Sequence, residues 1–198
     1  MQTEDIFQPL VPGARLAGDW YQGGIPATIE VGENTVIDSA ATFKHFFSRR
    51  TPGLVIGHHV TLCRASLATE AEGLIEIGDY CYLSNAALVC SERITIGSHV
   101  FLAGGVTIAD SDFHPIAPAA RLADTLATSP LGNHQHRPRV ASRPVIIEDG
   151  VWIGFNATVM KGVRVGENAI IEAGAVVISD VPAGRTVAGN PAKLVELI

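Results

Sequence analysis

Aliphatic residues recur at every sixth position along most of this chain. The clearest run is Ile147, Ile153, Val159, Val165, Ile171 and Val177. Four residues after each, the position is small or valine: Val151, Ala157, Val163, Ala169, Ala175 and Val181. The same beat appears upstream at Val31 and Ile37, at Ile56 and Leu62, at Ile77, Leu83 and Val89, and at Ile96, Leu102 and Ile108. Only Arg93 and Asp112 place a charge at the corresponding fifth positions. Arg93 falls where the beat slips by one residue, and Asp112 falls where it stops. A period of six fits neither an amphipathic helix nor a simple alternating strand. It suits short strands joined by turns, three to a coil, stacked as parallel ladders around a narrow core. Small fifth positions follow, because a narrow prism has no room for larger ones.

The beat is interrupted over residues 43–55, over 68–74 and, at greatest length, over 114–144. Uninterrupted loops of that last size are functional or disordered. Within it, "PAARLADTLA" predicts a short helix. Residues 1–28 are expected to form an N-terminal cap on the first coil, and residues 29–198 the repeat domain, since an open solenoid end needs cover.

Composition narrows the class. Hydrophobic residues make up 47% of the 198 residues and charged ones only 17%, which excludes a disordered chain. A formal charge of −6 argues against a general nucleic-acid binder and leaves small molecules or proteins as partners. Cys63, Cys81 and Cys90 cannot pair completely, and the N-terminus lacks the apolar run of a signal peptide. A cytoplasmic protein with reduced thiols and no membrane span is expected.

The hexads, "VWIG" at Val151–Gly154, "DFHP" at Asp112–Pro115 and "AGNPAK" at Ala188–Lys193 together resemble the hexapeptide-repeat acyltransferases. The order of these motifs is most similar to acetyl-CoA-dependent O-acetyltransferases of sugars and capsular polysaccharides, relatives of galactoside and maltose acetyltransferase. The resemblance implies an all-β left-handed parallel β-helix with an extended active-site loop. That handedness comes from the resemblance alone, since parallel crossovers are otherwise right-handed. It also implies a homotrimer with three sites between neighbouring prisms, a histidine from the interrupting loop, and acetyl-CoA as co-substrate with no metal.

Carried onto this sequence, the histidine is His114. Acetyl transfer needs the acceptor hydroxyl deprotonated as it attacks a thioester, and imidazole suits that role near neutral pH. Asp110 or Asp112 could take the proton on the other ring nitrogen and fix the tautomer, and so could a backbone carbonyl. The coenzyme groove points to Gly154, Phe155, Ala157, Ala173 and Lys193. Phe155 stands where relatives place a residue assisting the oxyanion, and it has no hydroxyl. Ile178-Ser179 and Glu196 replace basic or hydroxyl residues of relatives, so Arg137, Arg139, Arg143 and Lys161 become alternative phosphate partners. Ser84 and Asn85 fall at acceptor-binding positions, and Trp152 walls the site or packs between subunits.

Other classes are weighed on the same residues. An N-acyltransferase or a serine O-acetyltransferase would use the same fold. A γ-type carbonic anhydrase needs three zinc histidines at a spacing this chain lacks. His134 and His136, two apart, are a weak metal signal. His58, His59 and His99 occupy turns and read as surface residues. A non-catalytic scaffold would make His114 dispensable.

Overall fold

The computed structural model describes residues 6–133 and 136–195, so His134 and Glu196 lie outside the described residues. Three sheets of nine, six and five strands form the sides of a prism, and successive coils visit them in turn. Pairing between coils is parallel and in register, as in Ile96 beside Ile77 and Ile147. The two ends of the nine-stranded sheet are closed by antiparallel strands, Gln8–Pro9 on Val36–Ile37 and Lys193–Leu194 on Thr186–Ala188. Such closure hides edges that would otherwise recruit further strands. Leu10 and Ile25 join the buried core at the N-terminal end. Among the described residues no helix is long and apolar enough to cross a membrane.

The inward residues are those of the hexads, with one correction. On the five-stranded sheet the core position is Leu88, fully buried, whereas Val89 faces outward. Likewise the small inward residues are Ala65 and Ala86 rather than Ser66 and Ala87. The reason lies in the corner before that sheet. Two coils turn there through Arg64 and Asn85 at φ 51 and 46, one residue tighter than the later coil that turns through Gly104-Gly105. The shorter turn brings the next core residue one place earlier. Residues 68–74 are accordingly no excursion, since Ser66–Thr69 and Leu74–Ile77 are strands joined by a corner.

Glycine follows many of the core aliphatics for a steric reason. A Cβ on Gly154 would stand 2.7 Å from the amide nitrogen of Ala173 on the next coil. Side chains that point outward give each face a character. The nine-stranded face carries an aromatic ladder of Tyr82, Phe101 and Trp152, with the first two rings stacked at 5.0 Å. The six-stranded face is charged, with Arg93 paired to Glu76 at 2.7 Å. The five-stranded face is lined by small residues such as Ser66, Ala68, Ala87 and Thr107.

The long excursion leaves from the corner between the small-residue and charged faces. A bridge between Ser111 and Ser142 closes its neck. Its helix runs Pro118–Thr128, with proline in the first turn, where a missing N–H is harmless. Only Asp124 and Ala127 of that helix are buried. Leu122 and Leu126, each 63% exposed, face away from the prism.

Candidate active site

Asp110 explains the slip at Arg93. It is fully buried, and its carboxylate accepts the backbone N–H groups of Ser91, Glu92 and Arg93 at 2.7, 2.7 and 2.8 Å. The thiol of Cys90 approaches the same carboxylate at 3.5 Å. One coil's aspartate therefore holds the irregular corner of the coil before it. Asp112 is engaged elsewhere, paired with Lys161 from the following coil. Neither aspartate touches the His114 ring, which corrects the expectation that one of them orients it.

The ring's partner is Asp124, ten residues on and carried by the excursion's helix. Nδ1 of His114 lies 2.5 Å from Oδ2 of Asp124. The Asp124 side chain is 1% exposed and that of His114 50%. The hydrogen bond from Arg137 is the main reason the Asp124 carboxyl sits below its usual range, against the opposing effect of burial and with the help of His114. An ionised Asp124 can only accept, so Nδ1 carries the proton, and in the neutral ring Nε2 is the nitrogen with the free lone pair. Sequence pattern gave Asp124 no role.

Arg137 is also reassigned. Its guanidinium is spent on Asp124 at 2.8 Å, Glu70 at 2.5 Å and the carbonyl of Phe113 at 3.0 Å, which leaves no fork for a phosphate. Lys161 is likewise paired, and Arg143 bonds the carbonyl of Lys161 at 3.5 Å. Arg139 is exposed. His136 is exposed on the excursion, while His59 and His99 stack on either side of Tyr80 at 4.6 and 5.4 Å. Among the described residues no group of three or more His, Cys, Asp or Glu is arranged to hold a metal ion.

The remaining candidates gather on a different corner, between the aromatic and small-residue faces. Ser84 and Asn85, then Gly104, then Gly154 and Phe155, then Ala173 occupy successive coils there, as backbone bonds Gly105 N–Asn85 O (3.0 Å), Asn156 N–Gly104 O (3.0 Å) and Gly174 N–Phe155 O (2.8 Å) require. At about 4.8 Å per coil the column from Asn85 to Ala173 is about 14 Å long. Phe155 and Trp152 are 63% and 48% exposed. Two members fall out as contact residues. Ala157 is fully buried in the prism, and Gly154 is buried with its open side filled by the next coil. Lys193 is exposed and lines a cavity of about 310 Å³ at the C-terminal end, with Ser179 and Asp180. Within one chain, then, the column and His114 lie on opposite edges of the small-residue face.

Comparison with known proteins agrees with this architecture. Residues 144–179 match the family described as bacterial transferase hexapeptide (six repeats). Over 56 residues the chain is 59% identical to the 2,3,4,5-tetrahydropyridine-2,6-dicarboxylate N-acetyltransferase of Staphylococcus aureus, a stretch that is 28% of this chain. The match spans only 23% of that relative's length. A hexapeptide-repeat acetyltransferase of Vibrio cholerae O1 biovar eltor, solved with acetyl coenzyme A, superposes with a TM-score of 0.57 at 25% identity, over 78% of this chain and 73% of that one. An N-acyltransferase of Bacillus cereus, solved with dTDP and 3-hydroxybutyryl-CoA, shares the fold with a TM-score of 0.61 at 20% identity, over 84% and 81% of the two chains.

Proposed function

We propose that this chain is a hexapeptide-repeat transferase with an all-β left-handed parallel β-helix, as its match over residues 144–179 and its structural neighbours support, and that it moves an acetyl group from acetyl-CoA to a hydroxyl of a small, sugar-like acceptor. The observation that carries the reading is the His114–Asp124 pair, an exposed imidazole held through Nδ1 by a buried carboxylate. In a direct ternary complex, Nε2 takes the proton from the acceptor as its oxygen attacks the thioester carbon. The C–S bond then breaks, and the imidazolium returns the proton to the leaving thiolate. Asp124 stabilises the transient imidazolium and stays ionised throughout.

The coenzyme is assigned to the corner column. Phe155 and Ala173 offer an open, largely apolar edge for the pantetheine arm, and Lys193 at its far end can meet a phosphate. Replacing Ala173 with Trp is expected to abolish acetyl-CoA binding while the circular dichroism spectrum stays unchanged. Unaltered affinity by calorimetry would move the groove elsewhere.

His114 and this column lie on separate corners, so a working site needs two copies of the chain. A homotrimer lets the excursion of one prism face the corner column of the next. The exposed Trp152, Phe155, Leu122 and Leu126 support this, because a lone prism leaves them wet. Sedimentation at micromolar concentration is expected to give a trimer, and a monomer would remove the shared site.

A second reading, transfer to an amine, is favoured by the names of the relatives, an N-acetyltransferase and an N-acyltransferase. The same base serves both, since an ammonium acceptor must also lose a proton. Incubation with acetyl-CoA and a panel of sugars, amino sugars and nucleotide sugars, read by mass spectrometry, tests both readings. Alkaline hydroxylamine then cleaves an ester product and spares an amide. A panel in which nothing is acetylated, from a protein that still binds acetyl-CoA, would count against a sugar-like acceptor.

A further inference from the structure

We infer that Arg137 is a positioning residue whose planar guanidinium sets the tautomer and aim of the His114 ring by fixing Asp124 and the peptide before His114 in one plane. The inference rests on the reading of His114 as the base. Arg137 follows the excursion's helix in the chain and reaches back to three separate elements. Nε donates to Oδ1 of Asp124 on the helix at 2.8 Å. Nη2 donates to the carbonyl of Phe113, the residue before the base, at 3.0 Å. Nη1 donates to Glu70 on a corner two coils earlier at 2.5 Å. The Arg137 side chain is only 16% exposed.

Each bond constrains His114 differently. Oδ1 of Asp124 is taken by Arg137, so only Oδ2 is left for the imidazole, and the carboxylate cannot rotate to exchange them. Phe113 sits at φ 61, a region that bulky residues rarely occupy. Its carbonyl is held there by Nη2, with the guanidinium carbon 5.6 Å from its ring centre. That ring in turn meets the His114 imidazole edge-on, at 4.8 Å and 89°. Glu70 ties the assembly to the rigid prism. A lysine supplies the same charge, but its three donors share one nitrogen and cannot reproduce the planar fork that reaches these three acceptors from three separate nitrogens.

The test uses the full chain, its Arg137→Gln and Arg137→Lys variants, and His114→Ala for assignment. Long-range ¹H–¹⁵N NMR reports which ring nitrogen of His114 bears the proton. The wild type is expected to show one form, protonated at Nδ1, and both Arg137 variants a mixture of the two forms. Acetyl-CoA turnover with water as acceptor is expected to lose about 10²-fold in kcat in both variants, the usual effect of a misplaced catalytic group, with KM for acetyl-CoA unchanged. A single Nδ1–H form and wild-type kcat in Arg137→Lys would overturn the inference, leaving charge alone as the role of Arg137. A mixed or Nε2–H form in the wild type would overturn it without any variant, and so covers variants that fail to fold. If instead His114→Ala turns over normally, the function reading falls, while the tautomer result stands by itself.

Discussion

Replacing His114 with alanine is expected to slow acetyl transfer by at least about 10²–10⁴, the usual worth of a positioned general base. Fold, assembly and acetyl-CoA affinity should be unchanged. The ring is half exposed and, among the described residues, its polar side-chain partner is Asp124, so its loss opens no core cavity. The carboxylate keeps Arg137 as a partner, which limits the penalty of leaving a buried charge. His136→Ala, on an exposed segment, should leave the rate near wild type. Near wild-type turnover in His114→Ala, measured with the true acceptor, would reassign the base and take the main support from the enzyme reading.

Asp110→Ala is expected to produce the largest loss of stability. The side chain is fully buried and accepts three backbone N–H groups from Ser91, Glu92 and Arg93. Alanine leaves those donors in a closed corner, at about 1–3 kcal/mol for each that finds no partner. Partial relaxation makes the sum smaller, so about 3–4 kcal/mol is expected. Asn should lose less, because its carbonyl oxygen still accepts. Asp112→Ala, which removes a partly exposed pair with Lys161, should lose about 1 kcal/mol or less. Chemical denaturation of the three variants at one protein concentration ranks them, since assembly makes stability concentration-dependent. An Asp110→Ala midpoint equal to that of wild type would show that water replaces the carboxylate.

The sequence alone determined the prism. A six-residue beat leaves few ways to bury its aliphatic positions, and stacked coils bury all of them at once. The helix within the excursion was legible too, because proline at its start and a run of good helix formers act locally. The phase of the five-stranded face was not legible. Leu83-Ser84-Asn85-Ala86-Ala87-Leu88-Val89 offers two aliphatic residues side by side. Only the tight left-handed turn at Asn85 decides that Leu88 goes inward. The stop at Asp112 correctly marked where the chain leaves the coil, yet the two nearby aspartates serve other partners. Asp110 is drawn to amide groups stranded one coil earlier, and Asp112 to a lysine one coil later. Neither neighbour is near in sequence, so spacing carries no trace of them. Asp124 and Arg137 reach His114 because the excursion folds back over its own start. A side-chain hydrogen bond of this kind follows the path of the loop in space, and the tertiary structure alone fixes that path.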